Sequence, residues 1–513
     1  MSYSTIEELY QYVKRYCLYS ALAYIGNIGY RKIMNDPRII GLYPTIINEW
    51  QLAFISKGLI LNSNDYKSKI LDEKELFKCA NIYNNLNDKF FKASQNNDEE
   101  FQKAGQSFII RTAYQQFPSY RGINYLISRA LFLFEDIPNT INNPSFGIAK
   151  EIRSIYDLST KEVMMVGFAI FSTIKEGYFD PEYLINSNNN DLNKFLTKDI
   201  LDKLIDKLSA SYEKLREVFR YEKEEKGLEH FGFNALKIYP IVKTKIAGLV
   251  VPVPRFLLER ITTGIYYSLM DKFKSEKSNL FLEFFGREIF ERYVGLLLGQ
   301  KYQIGISIFK ELEYEKGKNK CNASDWIIIQ DNKAILVECK TSGISLEAKS
   351  RAELETVQND LKLRVVRAIE QMINLVNDVN KKYKGLERLY SIKKFYYVVV
   401  TYDKIYLSSS FIIKGMIKEE LAKKGITAPE YEILSVDELE ILIPFLEDFN
   451  FDFLLDNKFK HKEWSELDFN EYMYDFLTKN SLDTKKENEM LKNKCDKFFE
   501  EISPRLKYIR KLS

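Results

Sequence analysis

The chain has 513 residues, 45% of them hydrophobic and 29% charged, the balance of a folded globular protein with room for two to four domains. Its net charge of +3 is too small for a whole-molecule field, so any polyanion must be held by a local patch. The two histidines, His230 and His461, lie far apart, which argues against a Ser-His-Asp triad or a His-rich metal site and leaves carboxylates, lysines and oxygen-loving metals for any catalysis.

Up to about residue 220 the pattern predicts helix after helix. Ser4-Thr-Ile-Glu7 and Ser159-Thr-Lys-Glu162 have capping-box form ahead of the apolar-rich segments YQYVKRYCLYSALAYI and VMMVGFAIFSTI. A further helix follows Thr197, with Ile200, Leu201, Leu204, Ile205 and Leu208 on one face. The polar stretches SQNNDEE and NSNNNDLN read as surface loops. These features define an α-helical N-terminal domain over 1–233, with no internal repeat. In ALKIYPIVKTKIAGLVVPVPRFLLERITTGIYYSL, two short apolar runs flank the turn-prone TKIAG. Pro252 and Pro254 demote the second run to a short or edge strand, and Pro254 suits a first helical position. A hairpin and connecting helix are therefore expected over 234–278.

From 279 the order is helix (LFLEFFGREIFERYVGLLLG), strand (YQIGISIF), hairpin (SDWIIIQDNKAILVECK), long helix (LRVVRAIEQMINLVNDV), strand (FYYVVVTYD) and further helices. That order predicts an α/β domain over 279–445, a mixed sheet flanked by helices. Residues 446–513 read as a helical extension ending in a solvated mixed-charge helix. Five cysteines (Cys17, Cys79, Cys321, Cys339 and Cys495) are scattered without CxxC spacing, which suits a reducing cytoplasm and no structural zinc. No run approaches eighteen apolar residues and the start lacks a secretory layout, so neither a membrane span nor export is expected.

The hairpin carries the chemistry. Side chains alternate along a strand, so Glu338 and Lys340 share one face while Val337 and Cys339 take the other. With Gln330–Lys333 as the turn, Asp325 falls within a residue or so of the position opposite Glu338. Two carboxylates that close repel each other unless a cation lies between them. A hard divalent ion with oxygen ligands answers that need, and Mg²⁺ commonly takes one or two protein carboxylates. Lys340 would then reach a water or a phosphate oxygen. Of the acids on the preceding helix, Glu291 stands between Phe290 and Tyr293–Val294, near the apolar face, with Glu288 and Glu283 as alternatives. Gln371 holds a similar border position on the next helix.

Gly286, Phe290-Glu291, Ser324-Asp325, Glu338-Cys339-Lys340-Thr341 and Gln371 together resemble the PD-(D/E)XK nuclease superfamily, the restriction-endonuclease-like fold, over residues 280–405. Ser324 stands where the family name has proline. The resemblance implies metal-dependent phosphodiester cleavage, with Mg²⁺ as cofactor and Mn²⁺ as a substitute. It makes Asp325, Glu338, Lys340 and Gln371 catalytic, and Glu291, Asp325, Glu338 and the Cys339 backbone carbonyl metal ligands. Duplex DNA is the implied substrate by analogy, with RNA an open alternative. Lys349, Arg351, Lys362, Arg364 and Arg367 could line a phosphate track or form an ordinary solvated helix face. The block Ala235–Tyr267 resembles a lead-in to nucleases of bacterial antiphage defence, so an effector role against foreign DNA is expected. The helical N-terminal part would then serve as a sensor, an oligomerisation surface for copies of this chain, or a dock for a companion ATPase. The rivals are a catalytically silent binding or scaffold protein that keeps the fold, and a repair or recombination nuclease.

Overall fold

In the computed structural model, which describes residues 4–35, 47–86, 98–116, 122–142, 146–186, 196–221, 227–245, 248–300, 305–341 and 343–502, the N-terminal part is mostly helical for reasons its sequence makes plain. The Ser159 box forms as expected. The Ser159 Oγ accepts from the Glu162 N–H at 3.3 Å and the Glu162 carboxylate accepts from the Ser159 N–H at 2.7 Å, starting the helix Thr160–Ser172. Thr197 caps Lys198–Leu208, whose Leu201, Leu204, Ile205 and Leu208 are buried. The first cap differs from expectation. Thr5, not Ser4, accepts from the Glu8 N–H at 3.0 Å, because the Ser4 N–H is drawn to the Asn85 carbonyl at 2.8 Å. Nor is YQYVKRYCLYSALAYI one helix. It breaks between Ile6–Val13 and Leu18–Ile33, where the Cys17 N–H goes instead to the Lys69 carbonyl at 2.8 Å.

The chain divides into two compact units. The first comprises Met1–Ala104, Tyr120–Ser278 and Leu491–Ser513; the second comprises Gly105–Ser119 and Asn279–Met490. Within the first, the expected hairpin is present as β3 (Ile241–Thr244) and β4 (Gly248–Val250), followed by a helix with Pro254 in its first turn. It is not a separate lead-in. Strand β3 pairs in parallel with β2 (Ser209–Ser211), and β4 pairs antiparallel with β1 (Tyr178–Phe179), so the four form one sheet in the order β1-β4-β3-β2. Strands β1 and β2 are too short to leave an alternating signature in a helical region. Of SQNNDEE, residues 94–97 lie outside the described residues, and Asp98–Glu100 open the helix Asp98–Gln116, where acids suit the helix dipole. NSNNNDLN lies outside them beyond Asn186.

The second unit is built on a five-stranded mixed sheet in the order β11-β10-β9-β8-β5, with β5 (Ile306–Lys310), β8 (Trp326–Gln330), β9 (Lys333–Lys340), β10 (Lys394–Thr401) and β11 (Tyr431–Ser435). β8 lies antiparallel to both of its neighbours, β5 and β9; β10 lies parallel to both β9 and β11. A parallel pair needs a crossover, and here it is the helix Leu354–Leu361, a π-helical turn Lys362–Val366, and the helix Arg367–Asn380. Ala334 and Leu336 on one face of β9 join an apolar cluster with Val365, Ile369, Met372, Ile412 and Ile417. Ile335 and Val337 on the other face are buried as well, so β9 is covered on both sides, as its unbroken apolar run demands.

Three elements depart from expectation. A small hairpin, β6 (Glu313–Lys316) and β7 (Asn319–Asn322), interrupts the path from β5 to β8. Its charged sequence carries no strand signal. It is tied to the crossover helix by the buried Asp378, which accepts from the Tyr314 hydroxyl at 2.8 Å and the Lys316 ammonium at 2.9 Å. Strand β11 is likewise new. Finally, 446–513 is no single extension. Helix Phe451–Lys460 belongs to the second unit and is joined to β11 by a fully buried Lys458–Glu432 ion pair at 2.7 Å. Helix Glu489–Ile502 is amphipathic rather than solvated. It buries Leu491, Cys495, Phe498, Phe499 and Ile502, and Phe499 packs on Phe168 of the first unit at 5.0 Å.

Candidate active site

The hairpin of β8 and β9 turns at Asp331-Asn332, with Asp331 in the left-handed region at φ 52°. Its register pairs Trp326 with Val337, so Asp325, one residue earlier, stands opposite Glu338. The Asp325 carboxylate accepts the Cys339 N–H at 2.7 Å, fixing it at the strand end. Glu338 and Lys340 share the face that the crossover helix covers, and the Lys340 ammonium donates to the Glu338 carboxylate at 2.9 Å. It also donates to the Gln371 side-chain oxygen at 3.4 Å. By strand alternation the Cys339 carbonyl points to the Asp325 side, away from β10, whose Tyr402 N–H goes to the Lys340 carbonyl at 3.0 Å.

Glu291 arrives from the helix ahead of the sheet, Leu280–Phe284, a π-helical turn Phe285–Phe290, and Glu291–Leu298. Trp326 sets its position. The indole N–H donates to the Glu291 carbonyl at 2.9 Å, and the ring lies so close to Gly295 that a Cβ there would be 2.0 Å from it. The π turn also brings Gly286 against Thr341, the residue after Lys340. Of the two alternatives to Glu291, Glu288 is engaged by Arg292 at 2.6 Å and Glu283 is exposed. π-Helical turns recur at functional sites. Here one directly precedes Glu291, and another, Lys362–Val366, precedes the segment carrying Gln371.

Burial and mutual repulsion govern the charges. Glu338 is only 4% exposed; burial, then the Asp325 carboxylate, pushes it up to about 7 against the pull of Lys340. Burial, then Asp325, pushes Glu291 up to about 8. Burial also raises Asp325, opposed by the Cys339 N–H and by Lys340, Lys310 and Arg287. Burial works against the Lys340 ammonium, but Glu338 and Asp325 outweigh it and the net shift is upward.

Carboxylates and a carbonyl are the oxygen donors a hard divalent cation prefers, and their repulsion is what such an ion relieves, so the donor chemistry fits Mg²⁺. The arrangement is not a finished cage. Among the described residues no three or more His, Cys, Asp or Glu side chains are grouped to hold a metal ion. The physical reason is local: Glu338 is turned to Lys340 and Asp325 to the Cys339 N–H, so each already has a protein donor.

Several neighbours carry no sequence signal. Glu311, whose N–H donates to the Asp325 carbonyl at 3.0 Å, adds negative charge that raises Glu291 and Glu338. Lys310 and Arg287 supply positive charge. Lys310 and Glu311 are placed by the pairing of β5 with β8, and Arg287 by the π turn. The buried Ser324 hydroxyl, at the proline position of the motif, has no partner among the described residues. Most of the expected phosphate track is engaged within the protein: Lys349 with Asp403 at 3.2 Å, Arg351 with Glu347 at 3.0 Å, Lys362 with Glu420 at 3.4 Å, and Arg364 with Asp360. His230 packs against Phe54, Tyr83 and Phe231 in the first unit, and His461 against Trp464. No family model and no curated protein matches this sequence. No helix among the described residues is long and apolar enough to cross a membrane.

Proposed function

We propose that the second unit is a metal-dependent endonuclease of the restriction-endonuclease-like fold that hydrolyses phosphodiester bonds in DNA. One observation carries this: Asp325 and Glu338 are held side by side at the end of one hairpin, with the Lys340 ammonium 2.9 Å from Glu338. The element order supports it too, with a helix, the antiparallel strands β5, β8 and β9, a crossover helix and the parallel strand β10. Asp325, Glu338, the Cys339 carbonyl and Glu291 would hold Mg²⁺, or Mn²⁺ in its place. When bound, the ion supplies positive charge to the scissile phosphate and makes a water more acidic. Because the two carboxylates keep Lys340 protonated, its role is to stabilise charge on a phosphate oxygen rather than to abstract a proton. Gln371 holds that ammonium in place, and the Cys339 N–H orients Asp325.

The test is cleavage of plasmid by the purified full-length protein with Mg²⁺ or Mn²⁺ against a chelator control. Asp325→Ala and Lys340→Ala should each lower the rate by about a hundredfold or more, with melting temperatures near that of the parent. A well-folded Asp325→Ala protein that cuts as fast as the parent sinks the proposal. A silent nucleic-acid-binding protein is the second reading, favoured by the lack of a preformed ligand group among the described residues. Calorimetric titration separates the two, since a silent protein takes up neither Mg²⁺ nor Mn²⁺ at Asp325 and Glu338. Defence against foreign DNA is the setting we propose, on the likeness of Ala235–Tyr267, and plating phage with and without the gene distinguishes it from repair.

A further inference from the structure

The cations near the acids fall into two classes. Lys349, Arg351, Lys362 and Arg364 are each held by a carboxylate, whereas Arg287, Lys310 and Arg367 are exposed and have no ion-pair partner among the described residues. The second group is not scattered. Arg287 stands four residues before Glu291, so both project from one face of the helix ahead of the sheet across its π turn. Lys310 pairs with Trp326 in the sheet, beside Asp325. Both are close enough to draw down the Asp325 and Glu291 carboxylates. Arg367 stands four residues before Gln371 on the exposed face of the crossover helix, and Gln371 touches Lys340. Two unpaired cations therefore lie on the Glu291 side of the acids and one on the Lys340 side.

We infer that Arg287, Lys310 and Arg367 grip backbone phosphates on both sides of the bond that is cut, so that one nucleic-acid strand runs across the acids rather than ending at them. An unpaired surface cation makes no ion pair in the folded chain that it must give up, so it can neutralise a phosphate at full effect and release condensed counterions. A cation already paired with a carboxylate exchanges one partner for another and contributes little. Leu363, one turn before Arg367 and 68% exposed, continues the same face with apolar surface. The choice of a phosphodiester strand as ligand rests on the nuclease proposal; the rim itself rests on the unpaired cations.

The experiment measures affinity of the full-length protein for a short labelled DNA duplex in chelator, across a range of salt, for Arg287→Gln, Lys310→Gln, Arg367→Gln and the triple variant. Lys349→Gln and Lys362→Gln serve as paired controls. Each rim substitution should flatten the plot of log affinity against log salt by about 0.9, while the controls leave it unchanged. A triple variant with the parent slope, or controls that flatten it equally, overturns the inference, as does a parent protein that does not bind. Parallel plasmid cleavage in Mg²⁺ separates the two proposals. A rim-dependent slope in a protein that cuts nothing keeps the rim and removes the nuclease, whereas cleavage with an unaltered slope does the reverse. Larger flattening on an RNA duplex keeps the rim and changes the nucleic acid.

Discussion

Glu338 is buried almost as deeply as the valine before it on β9, and that depth decides its protonation. An ordinary glutamate in the unfolded chain gives up its proton near 4.5, whereas folded Glu338 keeps it to about 7 and Glu291 to about 8. Through those windows the unfolded chain binds fewer protons than the folded one, so stability falls as pH rises from about 4.5 and levels off once both folded values are passed. Thermal melts in chelator should show this decline between about pH 5 and about pH 8, with Glu338→Gln and Glu291→Gln each flattening it. Added Mg²⁺ should offset the decline in the parent and not in the variants. A parent melting temperature that stays level across the range contradicts the arrangement described for these acids. Lys340 also belongs at this scale. Lys340→Met removes the charge but keeps most of the length, so it should cost cleavage while leaving metal uptake, read by calorimetry, intact.

At the scale of elements, the site depends on how one helix is pressed to one hairpin. Gly295 is where Trp326 meets that helix, and a methyl group there overlaps the indole ring. Gly295→Ala should therefore destabilise the protein by about 1–3 kcal/mol and lower cleavage further by displacing Glu291. Trp326→Phe loses both the bond to the Glu291 carbonyl and the part of the indole packed on Gly295, so it should also lower the melting temperature, read by calorimetric melts beside Gly295→Ala. The hairpin itself was legible in the sequence because an apolar run buried on both faces, a polar turn and an acid at each margin leave few other placements. The Ser159 box and the Thr197 cap were legible for the same kind of reason, each being a local bond between residues three apart. What escaped was decided from a distance. The shift of the first cap to Thr5 depends on Asn85, and the break near Cys17 depends on Lys69. The β6–β7 hairpin depends on Asp378, and no π turn has a sequence signature. Arg287 reaches the site across a π turn, and Lys310 and Glu311 through the register of β5 on β8, which periodicity alone does not fix.

At the scale of the whole molecule, order along the chain and membership of a unit are different things. Residues 105–119 belong with Asn279–Met490, where the Arg111 guanidinium donates to the Arg351 carbonyl at 3.0 Å and Tyr114 packs edge-on to Tyr406 at 5.2 Å. A fragment that begins at 279 lacks both contacts and should melt well below the full-length protein. The Lys458–Glu432 pair, without measurable exposure on either side chain, tests whether helix Phe451–Lys460 is integral to that unit. Lys458→Met leaves a buried carboxylate alone and should cost about 3–5 kcal/mol in denaturant melts, while the double change with Glu432→Leu should recover most of it. The helix Glu489–Ile502 gives this interleaving a temporal side. During synthesis, every strand of the five-stranded sheet leaves the ribosome before Phe499 can reach Phe168, so the sheet bearing the acids can be complete while the first unit still lacks part of its core.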